Sequence, residues 1–378
     1  MNHKYETPPT EIAHRNLVAD EEEIEGFEDG VASWGDYPLD DLLIRNERRT
    51  INDVINRING GRYVMDPDFQ RDFIWDEKKQ SKLIESVIMR IPLPVFYFAE
   101  DQEGRMMVVD GLQRLSTFER FVNNQLHLRI PDRNELHGRT FSELSAKLQN
   151  RIEDCNLIVY IVDSKAPERA KLDIFKRVNG GVPLTRQQMR NCLFQGKATR
   201  FLKNEASSEL FLKATGRSLN KKTMRDREFI NRFCAFQTIG LEEYRGDMDD
   251  FLALCLSKMN KFNESALQQL STQFRRGLRN NYFLFNEHSF RRFHSLEQPN
   301  RSQLNASLWD VMVTELSRYS EEFVKDHGDN LREKVERLLS DDDFVTAITC
   351  STNNTKTVKC RFSMSRQAIR EHLVSPLN

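Results

Sequence analysis

The pattern of hydrophobic and polar positions changes near residue 195. Before that point, short β-prone runs alternate with segments whose apolar residues recur every three to four positions. The predicted strands are RYVM, PVFYFAE, RMMVVD and NLIVYIVDS, and the predicted helices are 76–90, 112–123 and 167–179. This alternation predicts an α/β or α+β domain.

Beyond Gly196 the strand signals fade and helical spacing dominates. The pattern is clearest in REFINRFCAFQTIGL, MDDFLALCLSKMN, ALQQLSTQFRRGL and ASLWDVMVTELSRY. We therefore predict an α+β protein in four parts: an arm at 1–45, an α/β domain at 46–196, an all-helical domain at 197–345 and a segment at 346–378. The last part has a short alternating run followed by a polar helix, and the pattern does not assign it.

Local signals support two helix boundaries near the end of the α/β domain. The predicted helix 167–179 begins with a Pro and stops at Gly180 and Gly181, the usual asymmetry of helix ends. The next helix begins with a capping box from Thr185 to Gln188.

The charge of the chain is strongly asymmetric although its formal net charge is only -1. Residues 1–41 contain 12 acidic and 2 basic residues, which leaves 45 acidic and 54 basic residues in the rest. The arm has few apolar residues, so we expect it to be disordered or loosely docked. A solubilising tail is the favoured interpretation, and an autoinhibitory mimic of nucleic acid is the alternative.

The cysteines and the apolar runs indicate a cytoplasmic protein. The six Cys form no C-x-x-C pair and have no His at zinc-finger spacing, which favours reduced, structural cysteines. The N-terminus is acidic and lacks an apolar core segment, and no run approaches the roughly 18 apolar residues of a membrane span. We therefore expect no membrane partner.

The stretch MVVDGLQRLSTFERF predicts a strand that turns into a helix at a Gly. Asp110 is the predicted N-cap, and with Gln113 it resembles an acidic capping box. Arg114 then lies in the first turn, where the helix dipole disfavours a cation. An anionic ligand would account for it, because a helix N-terminus, a Gly and an Arg together form an anion site. Gly111, Gln113 and Arg114 are thus candidate phosphate contacts.

Two further segments contain residues with competing interpretations. Arg71 is a second phosphate candidate or the partner of a neighbouring acid, Asp68 or Asp72. Trp75 could stack on a base, although a core position is favoured. Asn179 lies before two Gly, which suits a helix C-cap first and a ligand contact second.

Together these segments resemble the N-terminal domain of GmrSD-type restriction systems, described as domain of unknown function 262. The usual pattern is R-x-x-x-W, then P-x-P before a strand, D-G-Q-Q-R-L, and F-x-x-x-N followed by Gly and P-L. The chain has Arg71 to Trp75, PLP at 92–94, DGLQRL at 110–115 and IFKRVNGGVPL at 174–184, so the match covers roughly 48–195. Leu112 stands where the family commonly has Gln.

The resemblance implies a fold like that of ParB and sulfiredoxin, with a Gly-containing loop that binds nucleotide phosphates. It implies a nucleoside triphosphate ligand with Mg²⁺, contacted by Arg71, Gly111, Gln113, Arg114 and Asn179. Asp110 would hold the metal or orient a water, and Asp110 and Arg114 are the candidate catalytic residues. Binding is the firmer expectation, and hydrolysis is left open because there is no Walker A sequence.

The resemblance also implies control of a nuclease in a bacterial restriction or anti-phage system. The eight His are scattered and form no HNH pattern, so we expect the chain not to be the DNA-cutting component. A separate nuclease or another defence protein is the expected partner, and the oligomeric state is left open.

A second class of function rests on QFRRGLRNNYFLFNEHSFRRFHS, where basic and aromatic residues are interleaved. Arg275, Arg276 and Arg279 are candidate nucleic-acid contacts, which would make the protein a non-catalytic DNA-binding accessory. A helix pair with aromatic core faces is the favoured interpretation of the segment. A scaffold that recruits a nuclease is the third possibility.

Overall fold

The computed structural model describes residues 24–26, 44–65, 75–101, 103–166, 170–171, 174, 177, 185–293 and 302–370. These residues fall into two compact units. The α/β unit comprises the described residues from 44 to 195. The helical unit comprises residues 24–26 together with those from 196 onward.

A mixed five-stranded sheet forms the centre of the α/β unit, in the order β1-β5-β3-β4-β2. The strands are β1 (Ile44–Thr50), β2 (Tyr63–Val64), β3 (Phe96–Glu100), β4 (Met106–Asp110) and β5 (Asn156–Val162). β1/β5 and β3/β4 are antiparallel, whereas β3/β5 and β2/β4 are parallel. The four predicted strands are confirmed, and β1 was not predicted.

The strand β1 escaped prediction because its sequence, IRNERRT, is almost entirely polar. Antiparallel pairing with β5 along all seven residues holds the strand, and partly exposed ion pairs add to it. Arg45 Nη1 lies 2.8 Å from the Glu100 carboxylate of β3 and 3.1 Å from the Asp163 carboxylate after β5. Because those charges come from distant parts of the chain, no local pattern indicates the strand.

Five helices of the α/β unit are fully described: α1 (Ile51–Asn59), α2 (Glu77–Ile88), α3 (Leu112–Val122), α4 (Ala146–Glu153) and α5 (Arg186–Leu193). The predictions 76–90 and 112–123 are confirmed as α2 and α3. The capping box at Thr185 and Gln188 is also confirmed, at the start of α5. Of the predicted helix 167–179 only Ala170, Lys171, Ile174 and Arg177 are described, and all four are helical.

The core of this unit lies between the sheet and its helices. Phe96, Phe98 and Val108 of the sheet pack with Leu115 and Phe118 of α3 in one buried apolar cluster. The apolar stripe that predicted α3 is therefore the face that the helix buries. This packing fixes α3 against β3 and β4, the two strands that border the candidate site.

The helical unit contains α6 (Lys197–Ala206), α7 (Glu209–Ala214), α8 (Arg225–Thr238), α9 (Met248–Asn260), α10 (Glu264–Phe285), α11 (Ala306–Leu316), α12 (Glu321–Asp326), α13 (Gly328–Leu339), α14 (Asp342–Thr349) and α15 (Thr355–Arg370). The sequence left 346–378 unassigned and suggested an alternating run there. The alternating run does not form a strand, because its residues lie within α15.

Helix α11 is the most buried element of the helical unit, since every one of its residues is buried. The Trp309 ring contacts Phe229, Phe274 and Phe290, with centroid distances of 5.3, 6.2 and 4.5 Å. On the same helix Asp310 accepts hydrogen bonds from Arg232 of α8 and Arg361 of α15.

None of the six cysteines, all of which are described, forms a disulfide bond, and Cys192, Cys234 and Cys255 are buried. Burial raises the pKa of the Cys255 thiol to about 12, so this sulfur stays protonated at neutral pH. In the described part of the chain, no helix combines the length and the apolar character needed to cross a membrane.

Candidate functional site

The β4–α3 junction is built around a glycine that no other residue could replace without strain. Gly111 is the N-cap of α3 and has a φ of 104°. A Cβ at this position would lie 2.3 Å from Cδ1 of Phe96. Positive φ and close contact each favour Gly, so the D-G step of the motif has a structural cause.

The prediction that Asp110 caps α3 is wrong. Asp110 is the last residue of β4, and no side chain caps the helix at Gly111. Gly111 takes the N-cap position because its left-handed backbone makes the turn directly after the strand. The Asp110 carboxylate instead accepts a hydrogen bond from Arg114, with a distance of 2.9 Å between Nη2 and Oδ2.

Arg114 has partners within the fold, so it is not the unexplained cation that the sequence suggested. Its side chain is largely buried, and its guanidinium donates to the carbonyls of Pro94 and Val95 as well as to Asp110. The guanidinium carbon also lies 4.2 Å from the centroid of the Phe96 ring. Burial lowers the pKa of Arg114, and the charge of Asp110 partly opposes that shift. Arg114 therefore joins α3 to the PLP segment.

Gln113 holds the start of α2 in a similar way. Its Oε1 accepts a hydrogen bond of 2.9 Å from the backbone N–H of Trp75. Gln80 donates to the Trp75 carbonyl, and Arg120 donates to Oε1 of Gln80. The Trp75 side chain is half-buried and packs against the apolar core. The backbone at Trp75, the last residue of the R-x-x-x-W motif, is thus held by side chains from two helices.

Three backbone amides at the start of α3 have no acceptor among the described residues. They belong to Leu112, Gln113 and Arg114, the first three residues of the helix. Side chains of Thr50, Asp76 and Thr185 cap α1, α2 and α5. Free amides at a helix N-terminus carry partial positive charge and can bind an anion.

The pairing of β3 and β4 changes register beside these amides. Tyr97 pairs with Asp110, whereas Phe98 pairs with Val108, so Val109 is an extra residue. Such a bulge commonly re-aims a side chain at the end of a strand. The Asp110 side chain is about one-third exposed, which leaves it accessible to a cation.

Among the described residues, no group of three His, Cys, Asp or Glu side chains is close enough together to coordinate one metal ion. A metal site made only of protein side chains is therefore not supported in this part of the chain. One carboxylate with phosphate oxygens is the usual way in which Mg²⁺ is bound beside a nucleotide. The single carboxylate of Asp110 fits that arrangement, and it does not fit a site in which protein side chains supply all the ligands.

Sequence reasoning missed a buried polar face on α5, which packs against β4. Nε2 of Gln187 lies 3.0 Å from Oδ1 of Asn191, and Nε of Arg190 lies 3.0 Å from Oε1 of Gln187. All three side chains are buried. The sequence TRQQMRNCLF could have indicated this face, because it predicts a helix with almost no stripe of apolar residues. It lies a few residues after Asn179, the candidate contact in the same part of the chain. Arg71 and Asn179 lie outside the described residues.

The three arginines of α10 all have partners within the helical unit. Arg275 pairs with the buried Glu205 at 3.0 Å. Arg276 donates to the Ser317 carbonyl at 2.6 Å, and Arg279 pairs with Glu321 at 2.6 Å. The neighbouring aromatic residues Phe285, Phe290 and Phe293 are buried.

A protein-family model matches the part of the chain that contains the β4–α3 junction. The family model described as GmrSD restriction endonuclease, N-terminal domain, matches residues 51–195. No curated protein and no solved structure matches the chain. The matched range runs from the start of α1 to just after α5 and includes the β4–α3 junction. Residues 51–195 therefore belong to the GmrSD N-terminal domain family.

Proposed function

We propose that the α/β unit binds a nucleoside triphosphate with its phosphates at the N-terminus of α3. The observation that carries this proposal is the set of three amides, on Leu112, Gln113 and Arg114, that lack an acceptor among the described residues. The helix dipole adds to their attraction for an anion. Gly111, with its left-handed backbone, makes the turn from β4 into α3 that places these amides at the end of the strand.

Arg114 supports such a site without being a free phosphate ligand. Its hydrogen bonds to Pro94, Val95 and Asp110 hold the junction in one geometry. A fixed set of amides binds an anion more tightly, because less order has to be imposed on binding. We therefore assign Arg114 to positioning the junction, and Gln113 to fixing the backbone of Trp75.

Mg²⁺ fits beside the phosphates at the exposed edge of Asp110. One Asp110 oxygen is bonded to Arg114, and the carboxylate has a second oxygen. A metal shared by that oxygen and the phosphates would offset the repulsion between two anions. In hydrolysis, the same carboxylate would orient the attacking water. Arg71 and Asn179 complete the proposed nucleotide contacts on the family resemblance.

At the level of the whole protein, we infer a nucleotide-dependent regulatory protein of a bacterial restriction or anti-phage system, acting on a separate nuclease in the cytoplasm. Support comes from the membership of residues 51–195 in the GmrSD N-terminal domain family. The mixed sheet with a Gly loop leading into a helix also agrees with the ParB-like and sulfiredoxin-like fold that the resemblance implies.

The test is the melting temperature of the full chain with each of four nucleoside triphosphates, with and without Mg²⁺. A ligand at 100 times its dissociation constant should stabilise the fold by about 2.7 kcal/mol. Asp110→Asn should keep the hydrogen bond from Arg114 but lose the part of this stabilisation that depends on Mg²⁺.

The matched control is Asp132→Asn, which removes one charge from an exposed loop position of the same unit. It should respond to nucleotide as the parent does. If no nucleotide raises the melting temperature, the binding proposal is wrong. If Asp110→Asn retains the full Mg²⁺ effect, the metal assignment alone is wrong.

Leu112→Gln tests whether the departure from the family pattern matters. Restoring the common family residue beside the free amides should increase the nucleotide-dependent rise in melting temperature. Leu112→Met is the control, because it changes the side chain without adding a polar group. Equal responses of the two variants would show that position 112 makes no polar contact with the ligand.

DNA binding through α10 is the second candidate, and its support is weaker. Arg275 and Arg279 are 47% and 42% exposed, but both side chains already form ion pairs. Arg279→Gln is the informative variant, because Arg275→Ala would leave the buried Glu205 without its Arg. Loss of a phosphate contact should reduce the salt slope of DNA affinity by about one unit.

A further inference from the structure

A short piece of the acidic arm is bound in a defined place on the helical unit. Ile24–Gly26 runs beside the segment that leads into α11, and Glu25 forms a parallel bridge with Asn305. The Glu25 N–H donates to the Leu304 carbonyl at 2.8 Å. The Ala306 N–H donates to the Glu25 carbonyl at 2.9 Å.

These two main-chain bonds satisfy groups that the fold has buried. Leu304 and Ala306 are 1% and 0% exposed. The other edge of this segment is already used, because the Asn305 N–H donates to the Phe290 carbonyl at 2.9 Å. Ala306 is the first residue of α11, so the Glu25 carbonyl accepts from one of the helix's otherwise orphaned amides.

The Glu25 side chain is also bound specifically. Nη1 of Arg292 lies 2.6 Å from Oε1, and Nδ2 of Asn305 lies 3.2 Å from Oε2. Asn305 is fully buried and is held by a second bond from Nδ2 to the Ile348 carbonyl. A carboxylate at the N-terminus of a buried helix also interacts favourably with the helix dipole.

Gly26 is required by the same site. Its φ is +67°, and an added Cβ would lie 2.3 Å from the Ile348 carbonyl oxygen. That oxygen belongs to the backbone and is fixed by Asn305. The site therefore excludes a side chain directly after the glutamate, which gives it selectivity for the order Glu-Gly.

We propose that Arg292, Asn305 and the backbone of 304–306 form a peptide-binding site for an extended Glu-Gly segment, and that the acidic arm of the same chain occupies it. The recognition combines strand addition through the main chain with a carboxylate pocket and a Gly-only position. The arm is thereby anchored to the α11 end of the helical unit, and any process that frees Glu25 also leaves the Ala306 amide of α11 without its acceptor.

The proposal is tested with the full chain carrying Gly26→Val and a fluorescent peptide of residues 18–32. The Val variant cannot seat its own arm, so the peptide should bind it at least tenfold more tightly than it binds the parent chain. A peptide with Glu25→Gln should bind at least tenfold more weakly than one with Glu23→Gln, which has the same net charge.

Equal binding of the two altered peptides would overturn the proposal, because attraction would then depend on charge alone. Equal binding to the parent and Gly26→Val chains would overturn it too. If Gly26→Val does not fold, hydrogen exchange at the Glu25 amide decides the matter in chains that retain Gly26. Exchange should accelerate tenfold or more in Glu25→Gln and stay at the parent rate in Glu23→Gln, and equal rates in both would reject the site.

Discussion

A cation in the first turn of a helix can be a structural residue when carbonyls and a carboxylate surround it. Arg114 stands at the positive end of α3, where the dipole disfavours it, yet it bonds to two carbonyls and to Asp110. A hydrogen bond to a charged group stabilises a fold by about 1.5–3 kcal/mol. These bonds outweigh a dipole term of roughly 0.3–1 kcal/mol.

Arg114→Ala should therefore destabilise the protein without any ligand, by about 3 kcal/mol, because it leaves two backbone carbonyls without their donor. Urea denaturation of the parent and the variant measures this. Arg139→Ala, at an exposed position of the same unit, is the control and should leave the unfolding midpoint unchanged. An unchanged midpoint for Arg114→Ala would mean that the guanidinium is not part of the junction.

Gly111→Ala should cost more stability than an alanine at another left-handed glycine of the same unit. Gly61 has a φ of +68° and nothing within 4 Å of the added Cβ, so only backbone strain of about 1–2 kcal/mol is expected there. Gly111→Ala adds the contact with Phe96, and we expect at least about 2 kcal/mol more. Equal losses in the two variants, measured by chemical denaturation, would show that the Phe96 ring moves aside freely.

At the scale of elements, sequence patterns predicted those helices and strands whose signal is local. The strand runs and α3 alternate or repeat within a few residues, and Thr185 with Gln188 marks the start of α5 in the same way. β1 and the polar face of α5 depend instead on charges and amides supplied by distant segments, which no window of sequence contains. The strand-to-helix turn at D-G-L-Q-R is confirmed, but only the three-dimensional contacts show that Asp110 does not cap α3 and that Arg114 is not a free cation.

Helices α8, α11 and α15 meet at a buried cluster of three charges. Asp310 lies 2.6 Å from Arg232 and 2.9 Å from Arg361, and all three side chains are buried. Asp310→Asn should destabilise the helical unit by about 3–5 kcal/mol, since two buried cations lose their counter-ion. Asp329→Asn breaks the exposed pair with Arg332 and is the matched control, with no measurable change expected in the denaturant midpoint.

The first turn of α8 should make stability depend on pH. Burial raises the pKa of Asp226 to about 6, although Arg227 and Lys221 oppose the shift. The pKa of Asp226 in the folded protein exceeds its unfolded value of about 3.9. The folded state is therefore most stable, as far as this group is concerned, below pH 4, and that stability is lost as pH rises through 6. The free energy of unfolding of Asp226→Asn, relative to that of the parent, should therefore rise by up to about 3 kcal/mol between pH 4 and pH 8.

Denaturation curves at pH 4, 6 and 8 measure that gain. Asp342→Asn, at an exposed position in the first turn of α14, serves as the control and should track the parent at each pH. A parallel pH profile for Asp226→Asn and the parent would show that water reaches the Asp226 carboxylate in the folded protein.

At the scale of the whole molecule, the two units are expected to respond differently to nucleotide. Binding at the α3 amides should slow hydrogen exchange of residues 110–115 in the presence of nucleotide and Mg²⁺. The amides of α11 should keep their rates, because their bonds to the arm and to the rest of the helical unit do not involve the ligand. Slowed exchange across both units would instead indicate that binding stabilises the chain as one cooperative body.

The order of the sheet has a consequence for how the protein avoids aggregation. An edge strand with unpaired amides and carbonyls is a template for another chain, and natural proteins blunt such edges with charges or very short strands. Among the described strands one edge is β1, where an added strand would have to pack beside the charged side chains of Arg45, Glu47, Arg48 and Arg49. The other edge is β2, which has two residues. Both edges thus resist fibril-like growth, and charge-neutralising substitutions in β1 should be the first to reduce solubility.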